Sequence, residues 1–179
     1  MGVLHFVVGG AASGKSAFAE RLTRAAKKPK VYVATMQPFD DEMRAKLNKH
    51  QAMRGADWHT IEAPLDPGKA ITEAGSDQIV LLDCVTLWLS NVLLADRDVE
   101  VACDQLLQVL ANALCEVVVV SNEVGMGIVP DNALSRQFRN AQGRLNQRLA
   151  VQANNVVTVI AGLPIVLKGQ LEIAPEAKP

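Results

Sequence analysis

The sequence predicts an α/β domain in three layers, in which a mostly parallel sheet is covered by helices on both faces. Short segments that are apolar throughout alternate with amphipathic helical segments, a pattern typical of such sheets. The chain has 179 residues, of which 49% are hydrophobic and 21% charged, enough for one buried core. We therefore expect a single domain over residues 1–169 and a flexible tail over residues 170–179.

The first half of the chain predicts two strands and two helices. Residues 3–8 form an apolar run that ends at Gly9 and Gly10, which predicts a buried strand and a tight turn. Apolar and small residues recur at helical spacing over residues 16–26, and residues 31–35 predict a second strand. Residues 40–53 predict a helix, because two aspartates suit its first turn and apolar residues follow at helical spacing.

The second half continues this alternation. Strands are predicted over residues 79–83 and 117–120, and helices over residues 85–94 and 101–114. Apolar residues spaced by three or four then predict a long amphipathic helix with a stripe of Leu134, Phe138, Ala141, Leu145 and Leu149. Residues 156–161 and 164–168 predict two last strands, joined by a turn at Gly162.

Charge and hydropathy argue against a general nucleic-acid-binding protein and against a membrane-spanning one. The 18 basic and 19 acidic residues leave a net charge of −1, whereas a general nucleic-acid binder is expected to be basic. No apolar run is long enough to span a bilayer, and the first residues predict a strand rather than a signal peptide. We therefore expect a cytoplasmic protein with no transmembrane segment.

The three cysteines are expected to be reduced, buried thiols. Cys84, Cys103 and Cys115 lack the paired spacing of a metal site.

A phosphate-binding loop is predicted where the first strand meets the first helix. The run Gly9-Gly10-Ala11-Ala12-Ser13-Gly14-Lys15-Ser16 fits the pattern G-x-x-x-x-G-K-[ST] of a P-loop. Backbone N–H groups of such a loop, with the positive end of the helix, surround phosphate groups. We expect Lys15 to reach the outer phosphates and Ser16 to ligate Mg²⁺.

A second Mg²⁺ ligand is expected at the end of another buried strand. Asp83 closes an apolar run and is the first candidate, with an ordinary strand-end aspartate as the alternative. Glu123 also follows a buried strand and is the second candidate. The loop over residues 122–130 lies at the same kind of strand end, where ligands bind in open α/β sheets, but a plain connecting loop fits its composition equally well.

The histidines differ in their predicted roles. His50 lies near the end of a predicted helix, beside Lys49 and close to Arg54. Its imidazole is largely neutral and nucleophilic at cellular pH, and the two cations could balance charge on an attacked phosphate. A surface histidine without function is the alternative. His5 is expected to be a packed core residue, and His59 has no evident chemical partner.

Several blocks of the sequence together resemble the bifunctional cobinamide kinases and cobinamide-phosphate guanylyltransferases of vitamin B12 nucleotide-loop assembly. The blocks are residues 9–16, 32–35, 41–43, 58–62, 82–91, 122–130 and 143–147, together with His50, Arg54, Arg136 and Arg139. The P-loop is shared by many enzymes, but the later blocks are specific to this family. The resemblance extends from about residue 7 to residue 168, most of the chain.

The resemblance implies a RecA-like P-loop NTPase domain that carries out two reactions. In the first, a γ-phosphoryl group passes from ATP or GTP to the aminopropanol hydroxyl of adenosylcobinamide. In the second, the histidine that matches His50 attacks the α-phosphate of GTP, expels pyrophosphate and leaves a GMP–histidine intermediate. Adenosylcobinamide phosphate then accepts the GMP and becomes adenosylcobinamide-GDP.

The same resemblance implies the residues of the site. His50 and Lys15 are expected to be catalytic, and Ser16 and Asp83 to hold Mg²⁺. The implied nucleotide contacts are Gly9, Gly10, Ala11, Ala12, Ser13, Gly14, Lys15, Ser16, Ala34, Thr35, Met36, Gln51, Ala52, Met53, Arg54, Glu62 and Asp83.

The family also implies an oligomer. Its enzymes assemble as trimers with active sites between subunits, so we expect a homotrimer in which Arg136, Arg139 and Arg144 contact phosphates across the interface.

This chain differs from the usual family pattern at two positions. Members often carry arginine where this chain has Ala12, which removes a phosphate or subunit contact, and some carry two adjacent histidines where this chain has Lys49 and His50.

Two other functions stay open. In a P-loop kinase of another small metabolite, the loop would keep its role and His50 would be incidental. A RecA-like ATPase module would instead couple nucleotide binding to a protein or nucleic-acid partner. The net charge near zero counts against the second of these alternatives.

Overall fold

The fold is built on a seven-stranded sheet with helices on both faces, in a computed structural model that describes residues 2–36 and 57–171. The strands of these residues are β1 (Leu4–Gly9), β2 (Lys30–Ala34), β3 (Trp58–Glu62), β4 (Ile79–Asp83), β5 (Glu116–Asn122), β6 (Asn155–Ile160) and β7 (Leu163–Lys168). The helices are α1 (Lys15–Ala25), α2 (Pro67–Glu73), α3 (Val85–Leu94), α4 (Val99–Asn112) and α5 (Ala133–Gln152). The helix predicted over residues 40–53 lies outside the described residues.

The strand order across the sheet is β3-β2-β4-β5-β1-β6-β7. Neighbouring strands are parallel, except that β7 runs antiparallel to β6. The mostly parallel sheet predicted from the sequence is therefore confirmed. The carboxyl ends of parallel strands meet at one edge of a sheet, and here that edge receives the loop between β1 and α1.

The core lies in two apolar layers, one on each face of the sheet. Phe18 and Ala19 of α1 pack with Val7, Leu81 and Val118 on one face, which is called the α1 face below. The other face is covered by α2, α3, α4 and α5 and buries a larger set of side chains, among them Ile71, Trp88, Leu106, Leu145 and Leu149. The three predicted layers are thus confirmed.

Two elements, β3 and α2, were not predicted from the sequence, and one helix begins two residues earlier than predicted. β3 is an edge strand in which only Trp58 is buried, so it lacks an apolar run, and α2 has only seven residues, too few for a helical period. α4 begins at Val99 rather than residue 101, because Asp98 caps it by accepting a hydrogen bond from the Val101 N–H at 3.0 Å.

Three smaller predictions also have their outcome here. His5 is buried in β1, as expected of a core residue, and all three cysteines are buried free thiols, also as expected. None of the helices in residues 2–36 and 57–171 is long and apolar enough to cross a membrane.

Candidate active site

Glycines determine the conformation of the loop between β1 and α1. Gly14 precedes α1 with φ of 92°, a left-handed conformation that glycine adopts at little cost. A Cβ at Gly9 would lie 2.6 Å from the Ser13 hydroxyl oxygen and 2.5 Å from the Val159 carbonyl oxygen. No side chain of the described residues caps α1, so the N–H groups of its first turn remain available to an anion.

Two polar side chains lie inside this loop. Lys15 is only 8% exposed, and its Nζ donates a hydrogen bond to the Gly10 carbonyl oxygen at 3.1 Å. Its ammonium group therefore lies across the loop, where a nucleotide would place its outer phosphates. Ser13 is buried, and its hydroxyl has no hydrogen-bond partner within the described part of the chain. That hydroxyl remains available as a donor to a phosphate oxygen.

The loop is held in place by the strands on either side of it. The Gly162 N–H, from the turn between β6 and β7, donates to the Ser13 carbonyl oxygen at 2.8 Å. The Glu123 N–H, at the end of β5, donates to the Gly9 carbonyl oxygen at 3.0 Å. The position of the loop thus depends on both neighbours of β1, which the local sequence pattern does not reveal.

A row of residues crosses the carboxyl edge of the sheet on the α1 face. Tyr32 and Leu81 belong to the core on that face, and side chains alternate along a strand, so Ala34 and Asp83 two positions later share the face. Ala34 pairs in register with both Asp83 and Glu62. Two predicted carboxylates therefore lie at the same edge and face as the P-loop, with β5 between β4 and β1.

The predicted contacts after β2 have different surroundings. Ala34 and Thr35 are buried, and the Thr35 hydroxyl and carbonyl oxygen are both bonded inside the protein, to Cys84 and to Asn91 respectively. Met36 is half-buried and is the last described residue of this segment. The remaining predicted site residues lie outside the described residues: His50, Gln51, Ala52, Met53 and Arg54.

The oxygen donors at the edge suit Mg²⁺. Ser16 and Asp83 are both half-buried, and hydroxyl and carboxylate oxygens are ligands that Mg²⁺ prefers. The described residues contain no group of three or more His, Cys, Asp or Glu side chains placed to hold a metal. Mg²⁺ commonly takes one or two protein ligands and completes its shell with phosphates and water, so the site fits. Glu123, the second candidate, accepts a hydrogen bond from the Gly125 N–H within its own loop.

Cys84 adjoins Asp83 but cannot serve as a nucleophile at neutral pH. Burial and the neighbouring Asp83 carboxylate raise the pKa of Cys84 to about 11. A thiol with such a pKa is almost wholly protonated, and the protonated thiol is a poor nucleophile.

One polar residue near the site was missed by the sequence analysis. Asn91 is 7% exposed, and its Nδ2 donates to the Thr35 carbonyl oxygen at 2.8 Å and to the Pro64 carbonyl oxygen at 3.0 Å. It thereby ties α3 to the segments that follow β2 and β3. The available signal was an amide side chain inside an otherwise apolar helix, which predicts buried partners.

The three arginines predicted to reach another subunit have different contacts. Arg144 forms an ion pair with Glu100 at 3.0 Å, and Arg136 donates to the carbonyl oxygens of Pro130 and Asp131 at 3.0 and 2.6 Å. The Nη1 of Arg139 is buried and has no hydrogen-bond partner within residues 2–36 and 57–171. Arg139 thus retains an unused donor.

Comparison with known proteins assigns this arrangement to a family. Residues 5–167 match the family model described as cobinamide kinase / cobinamide phosphate guanyltransferase. The chain belongs to this family. The match confirms the family resemblance seen in the sequence, over residues 5–167.

Two relatives extend the family assignment. The chain is 42% identical over 183 residues to CobU of Salmonella typhimurium, covering 93% of this chain and 100% of the relative. It is 40% identical over 167 residues to CobP of Pseudomonas aeruginosa, covering 92% of this chain and 96% of the relative. Both relatives are named bifunctional adenosylcobalamin biosynthesis proteins.

A solved structure of a more distant protein confirms the fold. The RadB recombinase aligns with a TM-score of 0.52 at 16% identity, over 87% of this chain and 73% of that one. At this identity the similarity concerns the fold alone, and it confirms the predicted RecA-like P-loop architecture for this member of the cobinamide kinase family.

Proposed function

We propose that this protein phosphorylates adenosylcobinamide and then transfers GMP from GTP to the product, as its family name and relatives indicate. The proposed phosphoryl donor is ATP or GTP, and the proposed final products are adenosylcobinamide-GDP and pyrophosphate. The observation that carries the proposal is the P-loop with its buried Lys15, which lies at the same sheet edge and face as Asp83. Both reactions use this one nucleotide site.

The kinase step needs charge neutralisation more than bond-making groups from the protein, because phosphoryl transfer depends mainly on positioning and electrostatic stabilisation. Lys15 and the N–H groups at the start of α1 are proposed to bind the outer phosphates. Ser16 and Asp83 are proposed to hold Mg²⁺, which would neutralise charge on the phosphate oxygens. The other predicted contacts, from Gly9 to Ser16 and at Ala34, Thr35, Met36 and Glu62, stay proposals.

The guanylyl step is proposed to use His50 as nucleophile. Its imidazole would attack the α-phosphate of GTP, the bond to pyrophosphate would break, and the GMP would pass to the phosphate of adenosylcobinamide phosphate. Gln51, Ala52, Met53 and Arg54 are proposed nucleotide contacts beside it. The chain reaches the carboxyl edge of the sheet at Met36, ahead of the segment that contains His50, which supports a role at this edge.

We also propose a homotrimer in the cytoplasm. Leu163, Ile165 and Leu167 of the edge strand β7 are 69%, 48% and 62% exposed. Contiguous exposed apolar side chains often mark protein interfaces, which supports an oligomer. Arg136, Arg139 and Arg144 stay the proposed cross-subunit phosphate contacts. The use of ATP and GTP as substrates supports a cytoplasmic location.

The decisive experiment detects the covalent intermediate. The protein is incubated with Mg²⁺ and GTP labelled at the α-phosphate, then denatured, and the bound label is tested for stability. We expect label that is labile in acid and stable in base, as a phosphoramidate on histidine should be. The label should be absent from His50→Ala and unchanged in the matched control His59→Ala, because His59 is an exposed residue of β3.

Two outcomes would contradict the proposal. Label retained by His50→Ala would place the intermediate elsewhere. Absence of label in the wild type, with phosphorylation of cobinamide intact, would leave a kinase without guanylyltransferase activity.

A further inference from the structure

A buried polar cluster lies between α5 and the end of β5. It consists of Ser121, Gln142 and Asn146, with Thr86 of α3 beside them. The Ser121 hydroxyl donates to the Asn146 Oδ1 at 2.6 Å, and the Gln142 Nε2 donates to the Ser121 hydroxyl at 2.8 Å and to the Asn146 Oδ1 at 2.9 Å. Ser121 and Gln142 are fully buried. A network of this kind fixes the geometry of the groups bonded to it.

The cluster and its neighbour Thr86 hold the backbone of Asn122. The Asn122 N–H donates to the Thr86 hydroxyl at 2.7 Å, and the Asn122 carbonyl oxygen accepts a hydrogen bond from the Asn146 Nδ2 at 3.2 Å. The next N–H along the chain, that of Glu123, donates to the Gly9 carbonyl oxygen at 3.0 Å. The peptide that follows Asn122 is therefore fixed to the first residue of the P-loop.

The side chain of Asn122 lies on the side of the sheet where the nucleotide binds. Val118 and Val120 belong to the core on the α1 face, so Asn122, two positions later in β5, shares that face. It pairs in register with Gly9, and its Nδ2 lies 3.8 Å from the Cys84 sulfur. Its amide is thus between the P-loop and the end of β4. A thiol is a weak acceptor, so the amide keeps most of its capacity to donate.

We infer that Asn122 binds an outer phosphate of the nucleotide, and that Asn146 positions Asn122 for this contact. The inference rests on the proposed nucleotide site. An N–H donor that is held rigidly beside the transferred phosphoryl group stabilises the charge that develops there, because the donor does not have to reorient during the reaction. Asn122 supplies this donor from β5, between the strands that carry the P-loop and Asp83.

The first test compares nucleotide affinities, which do not depend on the cobinamide substrate. Asn122→Ala should weaken GTP binding about tenfold, the usual effect of losing one hydrogen bond to a charged group, and should leave GDP binding within about twofold. Asn122→Asp should weaken GTP binding more than Asn122→Ala, because its carboxylate repels phosphate. A residue that only filled space would show the opposite order, since aspartate nearly matches asparagine in shape.

The second test separates positioning from general stability. Asn146→Asp keeps the Oδ1 acceptor used by Ser121 and Gln142 but loses the donor to the Asn122 carbonyl oxygen. We expect a several-fold loss in the rate of phosphoryl transfer that largely disappears in the Asn122→Ala background, since coupled residues are not additive. Asn140→Ala, at an exposed position of the same helix, is the control and should match the wild type.

Each outcome has a definite meaning. GTP affinity of Asn122→Ala within twofold of the wild type would overturn the phosphate contact. Additive losses in the double variant would overturn the positioning role of Asn146. A wild-type protein that binds GTP but transfers nothing to cobinamide would contradict the proposed function alone, because the affinity comparison would still report on Asn122. Far-ultraviolet circular dichroism of each variant verifies that it is folded.

Discussion

The hydroxyl group of Thr35 joins the ends of β2 and β4 by two hydrogen bonds to a single residue, Cys84. It donates to the Cys84 carbonyl oxygen at 2.7 Å and accepts the Cys84 N–H at 3.0 Å. Thr35 is fully buried, and its own carbonyl oxygen accepts a hydrogen bond from Asn91. The hydroxyl thus satisfies the backbone of the residue after Asp83, so Thr35 fixes the strand end that presents the proposed Mg²⁺ ligand.

This relationship predicts the effect of removing the hydroxyl. Thr35→Val leaves the buried Cys84 N–H without a partner, while the Cys84 carbonyl oxygen keeps the Trp88 N–H at 3.2 Å. The loss should lower the free energy of unfolding by about 1–3 kcal/mol. Thr35→Ser keeps the hydroxyl and should lose well under half as much. Urea unfolding at constant pH measures both, and equal losses in the two variants would contradict the prediction, because the methyl group would then contribute as much as the hydroxyl. The cobinamide kinase activity should follow the same order.

The sequence was informative where a local pattern specifies a local structure. An apolar run predicted β1, helical spacing predicted α1, and the P-loop run fits between them. The apolar runs of β4 and β5 likewise predicted buried strands. β3 was missed because an edge strand with one buried side chain has no apolar run. The long-range partners of Thr35, Asn91 and Asn122 were beyond prediction, because their contacts join residues that are distant in sequence and each asparagine fits many environments.

A second prediction concerns the turn that ends α1. Lys27 has φ of 53°, a left-handed conformation that costs a residue with a side chain roughly 1 kcal/mol and glycine little. Lys27→Gly should therefore raise the free energy of unfolding by about 0.5–1 kcal/mol. Lys27→Ala removes the same charge but keeps the conformational cost, so it should give no such gain. If both variants were stabilised equally in urea unfolding, the charge of Lys27 would be the cause.

A third prediction follows from the buried pair of His5 and Glu116. The His5 Nε2 lies 3.0 Å from the Glu116 Oε1, and its Nδ1 lies 3.2 Å from the Asn155 Nδ2. Burial lowers the pKa of His5 below 6.5, despite the opposing hydrogen bond to Glu116. Burial opposes ionisation of Glu116, but hydrogen bonds from Lys28 and His5 outweigh it and hold the pKa of that carboxyl below 4.5.

The sign of the pH dependence follows from the histidine. Below about pH 6.5 the unfolded chain binds a proton on His5 that the folded protein does not, so stability falls as the pH falls through this range. Above about pH 6.5 the His5 imidazole is neutral in both states, so its full contribution to the free energy of unfolding is present. We expect the unfolding free energy to decline between about pH 7 and pH 5, and the decline to be smaller in His5→Gln. His59→Gln, at an exposed position, should keep the wild-type slope, and an unchanged slope in His5→Gln would refute the assignment.

The last prediction concerns the three thiols. Burial raises the pKa of Cys103 to about 11 and also raises the pKa of Cys115. Burial and the neighbouring Asp83 carboxylate raise the pKa of Cys84 to about 11. Alkylation needs the thiolate, so iodoacetamide at about pH 8 should leave the native protein unlabelled and its kinase activity intact. All three should react in concentrated guanidinium chloride, as intact-mass measurement would show. Rapid labelling of Cys84 in the native protein would mean that the end of β4 opens to solvent, and nucleotide should then protect it, because Cys84 lies beside Asp83 and within 3.8 Å of the Asn122 amide.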